Sequence, residues 1–562
     1  MDDAKSLCHA TTVKTPRWVA TLSIVTGLFY GCSSDGDASP ATVSGSPDDA
    51  GAALKDGATT PVATDGAASD AAVADAPTVP AVGAPAIVLP VSYTRPDVGT
   101  AVSPAELAAA TDELIALLKD TRYYDFLDER LHGWPETHPQ GGFWWGTFWT
   151  GITVTKAGGT VTYKHSNDGS DNAGIHTSPY LEGMCFAHLL GGDAKTAHLV
   201  RKMARGYSAW ILAMVKDAND KNPRLLSRTF YSAPVTSNDR GQALVIDTSL
   251  NRPGIDNAPS DYVHVPNNPT FGDVYIKNKR SKDDIGHMLR AIAQTQACVS
   301  RLDAAAKADL AQTKELYEAW AKEVDARNFI IPTLDKDLNL ISPTQQLAQY
   351  TLAGNVECPS ALAIRLMHSG APGNLDCKNG ISSGEALAAT TCALVPATCL
   401  KNDARQIMRS HQSAAVAIAW QKNQTALGLE LLKGLGERVD MDYGFATSAS
   451  PPPSDKFNPQ DVPGFFAYAA SVGVPLTSRE VRWVHERLHQ AYVGMRDPAH
   501  AATWNLWAAS VPDGTYSFDP PNVGIMHREL GLLIGSCASP YRNPTARPLL
   551  DCNRLEQGLK SL

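Results

Sequence analysis

From about residue 100 onwards, two kinds of helical segment alternate along this chain. One kind is amphipathic: residues 194–215 place Ala197, Val200, Met203 and Tyr207 on one stripe, which is typical of a helix with one face on a core. The other kind is apolar or small on nearly every side, and a helix without a polar face is buried all round. The amphipathic segments are residues 194–215, 303–324, 427–439 and 479–493, and the apolar segments are residues 178–190, 285–299, 411–420, 461–473 and 523–535. The alternation predicts an all-α protein in which amphipathic helices enclose buried ones.

The order of these segments resembles that of (α/α) toroids, a fold found in many polysaccharide lyases and glycoside hydrolases. The resemblance covers roughly residues 100–540 and rests on the alternation rather than on a specific motif. It implies a single (α/α)-toroid catalytic domain over residues 95–562. An open solenoid of stacked helix pairs is the alternative fold, although the sequence contains no repeated unit of fixed period.

Two segments interrupt the helical pattern. Residues 141–168 end in a run that alternates like two strands around Gly158 and Gly159, which predicts a small β insertion. Residues 218–282 form a long insertion without a clear helix, and long structured loops in compact domains are often functional. Because the inner helices of a toroid run parallel, we expect such insertions to gather at one rim.

The N-terminus has the features of an export signal. A largely apolar run, residues 18–30, follows two basic residues and precedes Cys32. This run is too short to span a bilayer and is typical of a secretory signal, here residues 1–31. The cysteine at the junction resembles a bacterial lipoprotein signal, although Phe29 and Tyr30 depart from the usual pattern. The resemblance implies acylation of Cys32 and an outer-membrane lipoprotein, periplasmic or on the cell surface. A plain secretory signal is the alternative.

Residues 32–94 are built almost entirely from small, polar and proline residues, with eight Asp and one Lys. Such a segment buries too little apolar area to offset its chain entropy, so it is predicted to be a disordered tether.

The whole chain has 562 residues, 43% hydrophobic and 19% charged, which excludes collagen and coiled coil. Its net charge of −9 argues against a nucleic-acid partner, because general nucleic-acid binders are usually basic. After the signal there is no apolar run long enough for a membrane span, so the lipid is the predicted membrane contact.

Ten cysteines occur in the chain, and eight of them remain after Cys8 and Cys32 are set aside. An even number in an exported protein predicts disulfides. Short separations favour the pairs Cys358–Cys377, Cys392–Cys399 and Cys537–Cys552. Cys185 and Cys298 lie on apolar segments, where they either pair or remain buried thiols.

Four of the apolar segments carry a histidine at or near their predicted N-terminal end: His176, His287, His411 and His527. In a toroid these ends share one mouth, so the four imidazoles are predicted to converge. Imidazole transfers protons near neutral pH and ligates metals, so the cluster is a candidate catalytic site. The alternative is that each histidine caps or packs against its own helix.

Asp283 and Asp284 lie at a helix start, and Asp284 is three residues before His287. This spacing places a carboxylate beside an imidazole on one helical face, an arrangement that orients the imidazole or works with it as acid and base. Lys279 and Arg280 belong to a basic stretch just upstream, which either binds an acidic sugar or is a solvated loop.

The long insertion adds polar and aromatic candidates: Tyr262 and Tyr275 for catalysis, and Arg228 and Asn268 for substrate binding. The resemblance to toroid lyases implies a neutral Tyr or His base and an Arg or Asn that stabilises the enolate. Trp144 and Trp145 are candidates for stacking on sugar rings. The alternative is that the two side chains are simply buried in the hydrophobic core. Toroid hydrolases instead need two carboxylates, for which Asp283 or Asp284 with Glu182 or Glu529 are candidates.

The leading hypothesis is an exported, tethered enzyme that degrades glycans, closer to a lyase for uronate-containing polysaccharide than to a hydrolase. The alternatives are a glycoside hydrolase on the same scaffold, a metal-dependent enzyme with a His-lined site, and a non-catalytic glycan-binding lipoprotein. Signatures for nucleotides, zinc proteases and serine hydrolases are absent from the sequence, which leaves the cofactor and any metal unknown.

Overall fold

A computed structural model of the protein describes residues 93–130, 152–158, 160–165, 173–232, 262–277, 282–335, 337–342, 356–375, 401–443, 462–496, 512–517, 524–525 and 527–562. All of these residues belong to one compact unit, Val82–Leu562. The predicted signal, nearly all of the predicted tether and five predicted site residues lie outside the described ranges. Those five residues are Cys32, Trp144, Trp145, Lys279 and Arg280.

The described part is mostly helical, which confirms the all-α prediction at that level. Its helices are α1 (Pro104–Asp120), α2 (Tyr123–Arg130), α3 (Ala173–Gly191), α4 (Ala194–Leu212), α5 (Lys282–Gln296), α6 (Ala304–Ala326), α7 (Cys358–Ser369), α8 (Lys401–Gln421), α9 (Thr425–Tyr443), α10 (Val462–Ser471), α11 (Ser478–Gly494), α12 (Leu530–Ala538) and α13 (Cys552–Leu559). A short 3₁₀ turn (His527–Glu529) precedes α12. Among the described helices, none is both long and apolar enough to cross a lipid bilayer.

Local sequence explains where the amphipathic helices begin. The side chains of Ser103, Asp193 and Thr477 each accept a hydrogen bond from the backbone N–H three residues on, and the side chain of that residue accepts one from the backbone N–H of the cap. This capping box satisfies two amide groups that the first turn leaves without partners. In α4 the predicted stripe is buried, with Val200, Met203 and Tyr207 fully enclosed, so the amphipathic pattern is confirmed there.

The apolar segments form α3, α5, α8, α10 and α12, here called the five buried helices. They contact one another in sequence: α3 packs on α5, α5 on α8, α8 on α10, α10 on α12, and α12 on α3. The contact of α12 with α3 depends on glycine, because a Cβ atom at Gly183 would lie 2.7 Å from the Cα atom of Gly531. The amphipathic helices lie against these and against each other, for example α4 on α6, α9 on α8 and α11 on α1.

Two of the buried helices begin earlier than the sequence predicts. The prediction places the start of α3 at Ser178 with Pro179 in the first turn, but the helix begins at Ala173 and Pro179 lies inside it. The Ser178 hydroxyl donates to the Gly174 carbonyl oxygen (2.5 Å), one turn back. Similarly, α8 begins at Lys401, so His411 lies in the middle of the helix and not at its N-terminal end. The placement of His411 near a helix start was therefore wrong.

Within the described ranges, six strands form two small antiparallel sheets. β1 (Ile152–Ala157) and β2 (Thr160–His165) pair as the predicted hairpin, with Ile152 opposite His165, and β6 (Gly514–Ser517) adds to the other edge of β1. The long insertion contributes β3 (Thr229–Ser232), β4 (Tyr262–Asn268) and β5 (Gly272–Lys277), in the order β3–β5–β4. The small β insertion is therefore confirmed, and a second sheet accompanies it.

Disulfides connect two of the buried helices to other segments of the chain. Cys185 of α3 bonds to Cys298, just after α5, with 5.7 Å between their Cα atoms. The predicted Cys537–Cys552 pair is confirmed and connects α12 to α13, with Cα atoms 5.3 Å apart. Cys358 is also disulfide-bonded, but Cys377, Cys392 and Cys399 lie outside the described residues.

Candidate functional site

The five buried helices carry ionisable side chains within an otherwise apolar core. We call this set the interior cluster. Its members are His176 and Glu182 of α3, Asp284, His287 and Arg290 of α5, His411 of α8, Tyr468 of α10, and His527, Arg528 and Glu529 of the 3₁₀ turn before α12. All of them except the half-buried His176 have less than a tenth of their surface exposed. Ionisable groups are rarely buried without a partner or a role, so this concentration marks a candidate site.

Arg290 and Glu182 form the best-paired part of the interior cluster. Arg290 Nε and Nη2 donate to Glu182 Oε2 (2.9 Å) and Oε1 (2.8 Å), and both side chains are fully buried. Arg290 Nη1 also donates to Ser410 Oγ (2.7 Å), and its guanidinium lies over the Tyr468 ring at 3.3 Å from the centroid. Burial opposes the charge of Arg290, but Glu182 raises its pKa, so the guanidinium remains charged. The pair connects α3, α5 and α8 through one guanidinium.

His176 is hydrogen-bonded to Arg528. A guanidinium has no acceptor atom, so Arg528 Nη1 donates and His176 Nδ1 accepts. A neutral imidazole that accepts at Nδ1 carries its hydrogen on Nε2, and this contact therefore fixes the tautomer of His176. Burial, and after it the charge of Arg528, lowers the pKa of His176 well below its usual value. His176 is thus a neutral side chain that presents an Nε2–H donor.

His287 is the member of the cluster with the fewest polar contacts. Only 5% of its surface is exposed, and its buried Nδ1 makes no hydrogen bond with any described residue. Its ring meets Tyr468 edge-on, with centroids 6.3 Å apart. Burial lowers the pKa of His287 well below its usual value, and the charges of Arg290 and Arg528 lower it further. Protonation of His411 or His176 would oppose the charge of His287 in the same way.

His411 and His527 have defined partners. His411 Nδ1 is hydrogen-bonded to Ser360 Oγ of α7. His527 Nδ1 is 3.0 Å from the Tyr180 hydroxyl of α3, and its ring lies 4.9 Å from that of Tyr123. His411 lies against α5 at Gly286, the neighbour of His287 in the chain, because a Cβ atom there would be 2.8 Å from His411 Nδ1, and His527 contacts α3, the helix of His176, through Tyr180.

Asp284 joins the insertion to the interior cluster. Its Oδ1 accepts a hydrogen bond from the Ile175 backbone N–H (3.2 Å), and its Oδ2 lies 3.7 Å from Nε of Arg228. Arg228 immediately precedes β3, so the first strand of the insertion begins at the cluster. Asn268 has a different environment, because its amide nitrogen donates to the Leu212 and Val215 carbonyl oxygens (both 2.8 Å) beyond the end of α4.

The structure gives only the backbone position of three further candidates. Tyr262 begins β4, Tyr275 lies in β5 opposite His264, and Asp283 is the second residue of α5. Their side chains are outside what the structure describes. Within the described ranges, no group of three or more His, Cys, Asp or Glu side chains has the arrangement of a metal site.

Sequence reasoning missed Arg290, Arg528, Tyr180 and Tyr468. A signal was present for Arg290, because it stands alone as a charge in the apolar segment and lies three residues after His287, as Asp284 lies three before it. Arg528 was adjacent to a histidine already chosen, in the charged triplet that precedes an apolar helix. The two tyrosines gave no signal, since a buried tyrosine is common in any helical core.

Comparison with known proteins adds no assignment. No protein-family model, curated protein or solved structure matches the chain. The geometry itself shows an ion pair, an imidazole with a fixed donor, and a buried imidazole whose Nδ1 has no hydrogen bond with the described residues. Such a set can bind an anionic group and accept a proton.

Proposed function

We propose that this protein is an exported, tethered polysaccharide lyase that acts on uronate-containing polysaccharide. The observation that carries the proposal is the neutral imidazole held beside a buried guanidinium, His176 with Arg528, next to a second neutral imidazole, His287. Elimination next to a carboxylate needs a cation or donor for the developing enolate and a neutral base for the carbon-bound proton. Both kinds of group are present in the interior cluster.

We further propose that the scaffold is an (α/α) toroid. The contacts of the five buried helices support it, because α12 packs back on α3 and the series has no free end. In an open solenoid each unit contacts only its neighbours, and the first and last units do not meet. A toroid gathers side chains from every inner helix, as the interior cluster does.

The state of the carboxylates favours elimination over hydrolysis. A glycoside hydrolase needs two carboxyl groups that flank the bond, at least one of them free to give or take a proton. Glu182 is fully buried and held by Arg290, and Asp284 accepts a hydrogen bond from the backbone and lies beside Arg228. Burial raises the pKa of Glu182, but both of its oxygens accept hydrogen bonds from Arg290, so the carboxyl group is held by the protein and not directed at a leaving group.

Export and tethering are supported by other features. The Cys185–Cys298 and Cys537–Cys552 disulfides are typical of an oxidising compartment. Acylation of Cys32 would retain the protein at a membrane, and residues 33–92 give the folded unit reach toward a large polymer. Replacement of Cys32 by Ser is expected to move the protein from the membrane fraction to the soluble fraction of the cell envelope.

The test uses the full chain, extracted in mild detergent with its disulfides intact. It is incubated with neutral polysaccharides and with polygalacturonate, alginate and hyaluronan, with and without chelator. New reducing ends together with the ultraviolet absorbance of an unsaturated uronide support the lyase. New ends without absorbance indicate a hydrolase, loss of activity with chelator indicates a metal enzyme, and binding without cleavage indicates a glycan-binding lipoprotein. Any of these three results contradicts the proposal.

A variant connects the activity to the interior cluster. Arg528→Leu removes the guanidinium beside His176, and loss of one such donor typically lowers kcat by roughly 10²–10³-fold. The matched control is His489→Gln on α11, whose side chain is 60% exposed and paired with Glu113. The control is expected to keep full activity. Equal activity of the two variants would place the chemistry elsewhere.

A further inference from the structure

We infer that the outer face of the sheet β3–β5–β4, here called the insertion sheet, binds a stretch of the uronate polymer next to the interior cluster. This inference rests on the proposed lyase function and adds to it a substrate-binding surface outside the cluster. Two rows of residues that cross the three strands form the face: the first row is Thr229, Lys277 and Tyr262, and the second row is Tyr231, Tyr275 and His264.

The register of the strands decides which residues share a face. Residues directly opposite in neighbouring strands lie on the same face, and the face alternates from one residue to the next. On one face the side chains are buried, with at most 2% of their surface exposed: Phe230, Val263, Val265, Val274 and Ile276. The two rows alternate with these residues and therefore belong to the other face. That face reaches solvent, because the side chains of His264 and Asp273 are 34% and 45% exposed.

The second row is aromatic in all three strands. Tyr275 of β5 lies between Tyr231 of β3 and His264 of β4. The Cβ atoms of directly opposed residues are about 4.5–5.5 Å apart, so three ring-bearing residues occupy one strip across the width of the sheet. His264 Nε2 donates a hydrogen bond to Asp273 Oδ1, which holds the imidazole at the edge of the strip. Aromatic rings pack on the apolar faces of sugars as they pack in cores, so the strip suits a sugar ring.

The first row adds a cation to this surface. Lys277 lies between Thr229 and Tyr262 in the register, and it is the charged member of the two rows. An ammonium group attracts a carboxylate, whereas the carboxylate of Asp273 on the same face is already hydrogen-bonded to His264. The face therefore combines a strip for the apolar side of a sugar with a positive charge for a uronate, which favours an acidic polysaccharide over a neutral one.

The two rows lead to the interior cluster. Arg228, the residue before Thr229, has its Nε atom 3.7 Å from Oδ2 of Asp284 in α5. The first row is therefore the one next to the cluster, and the second row lies two residues further along the strands, about 7 Å away. β5 ends at Lys277 and α5 begins at Lys282, so the central strand also runs toward the helix of Asp284. A polymer on the second row and then the first is directed toward the cluster.

The first arm of the test measures binding by affinity electrophoresis of the detergent-extracted full chain. Polygalacturonate, alginate, hyaluronan or neutral dextran is cast into the native gel. Tyr275→Thr removes the central ring and keeps a residue that favours strands, and it is expected to weaken binding of the uronate polymer by roughly tenfold. Tyr275→Phe keeps the ring and is expected to bind within about twofold of the wild type.

The matched control lies on the other sheet. Tyr516 of β6 is a half-buried tyrosine whose partner in the register is Val154 of β1, so Tyr516→Thr makes the same change outside the aromatic strip. It is expected to bind as the wild type does. Urea unfolding of each variant checks that it is folded. If Tyr275→Thr is unfolded, Tyr231→Thr at the edge strand replaces it, with an expected loss of about threefold in affinity.

The second arm tests the charge. Lys277→Gln is expected to weaken binding of the uronate polymer by about three- to fivefold at low ionic strength and to leave weak binding of dextran unchanged. The effect should disappear at high salt. Tighter binding of dextran than of the three uronate polymers by the wild type, or equal losses for both classes in Lys277→Gln, overturns the choice of an acidic chain.

The third arm uses the polymer that the wild type cleaves. Tyr275→Thr is expected to raise KM with kcat unchanged, because the ring binds substrate and transition state equally. A fall in kcat with KM unchanged would place Tyr275 in the chemical step and overturn its role on a binding surface.

The outcomes separate this inference from the proposed function. Equal binding by the wild type and Tyr275→Thr, or an equal loss in Tyr516→Thr, overturns the binding surface even if the polymer is cleaved. Binding that depends on Tyr275 without any cleavage supports the surface and contradicts the lyase. If the wild type binds none of the polymers, the surface fails, and the cleavage assay decides the lyase separately.

Discussion

The interior cluster and the outer seam of the molecule use the same residue types in opposite ways. The outer seam is the contact of residues 93–100 and α1 with α11, α13 and the residues next to those two helices. Its ion pairs include Arg95–Glu480, Asp97–Arg547, Glu106–Arg482, Asp112–Arg554 and Asp120–Arg496. There each arginine named meets a carboxylate, and hydrogen bonds from Arg482 lower the pKa of Glu106 to about 2. In the interior cluster, burial instead suppresses the charge of the imidazoles.

The difference teaches how to separate structural from functional ionisable groups. At the outer seam the folded state favours the charged forms of Asp97 and Glu106, because hydrogen bonds from Arg547 and Arg482 lower the pKa values of these carboxyl groups, so the two groups stabilise the fold at neutral pH. In the interior cluster the folded state disfavours protonated His176 and His287, and His287 retains a buried nitrogen that has no hydrogen bond with the described residues. Such groups are unfavourable for folding and often mark a functional site.

The largest expected effect comes from breaking the one fully paired part of the interior cluster. Arg290→Met leaves the Glu182 carboxylate buried without its cation, and removal of one partner of a buried pair lowers the free energy of unfolding by about 3–5 kcal/mol. Urea unfolding at pH 7.5 measures it. The double variant Glu182→Leu, Arg290→Met is expected to recover most of that loss. A double variant as unstable as the single one would show that the ion pair stabilises the fold more than two apolar side chains do at the same positions.

The second prediction concerns pH. The folded-state pKa of His287 lies well below its unfolded value of 6.5, so below about pH 6.5 the unfolded chain binds a proton that the folded chain does not. Stability is therefore lost as the pH falls, by up to about 1.4 kcal/mol per pH unit from this residue. His287→Gln is expected to flatten the stability curve between pH 6.5 and 5 by that slope. His489→Gln serves as the exposed control. If it flattened the stability curve as much as His287→Gln does, the pH dependence could not be assigned to His287.

A third prediction compares two buried histidines that differ in hydrogen bonding. His287→Leu removes an imidazole whose Nδ1 has no hydrogen bond with the described residues, and it is expected to raise the free energy of unfolding at pH 7.5 by about 1 kcal/mol. His411→Leu removes the partner of the Ser360 hydroxyl and is expected to lower it by about 1–2 kcal/mol. Changes of opposite sign in the free energy of unfolding, measured with urea, would support the difference between the two histidines. Losses of similar size in both variants would contradict it.

The smallest effect is expected at the outer seam. Asp112 and Arg554 form a salt bridge in which both side chains are about half exposed (52% and 48%). Exposed pairs contribute only about 0–1 kcal/mol, so Asp112→Asn is expected to change the free energy of unfolding by less than about 1 kcal/mol. The change should shrink further in molar salt. A larger, salt-insensitive loss would show that this pair is more than a surface contact.

The two kinds of helix were predictable because the spacing of apolar residues within a helix indicates which of its faces are buried. The buried stripe of α4 and the apolar surface of α12 can both be recognised from local periodicity alone. In the structure most of the predicted residues of both helices are buried. Helix starts were less predictable. Pro179 normally marks a first turn, but here the chain continues through it from Ala173, since packing of α3 on α5 and α12 outweighs that local preference.

The partners inside the site were beyond sequence reasoning for a different reason. Arg290 and Glu182 are 108 residues apart, and nothing local connects them. The same holds for Arg528 and His176, whose separation is 352 residues. The candidate histidines were visible one by one, whereas the donor that fixes a tautomer becomes visible only once α3 and the turn before α12 are in contact.

The attachment of residues 93–100 has a mechanical consequence. Arg95 donates to the Pro475 carbonyl oxygen (2.8 Å) and to Glu480 (2.7 Å), and Asp97 is held by Arg547 and by the Ser478 backbone. A pull along the chain from the N-terminal side therefore loads the contacts of residues 93–100 before those of α1. These contacts belong to elements that carry none of the interior cluster's residues, so tension on the chain would be absorbed there before it could deform the helices that hold the imidazoles.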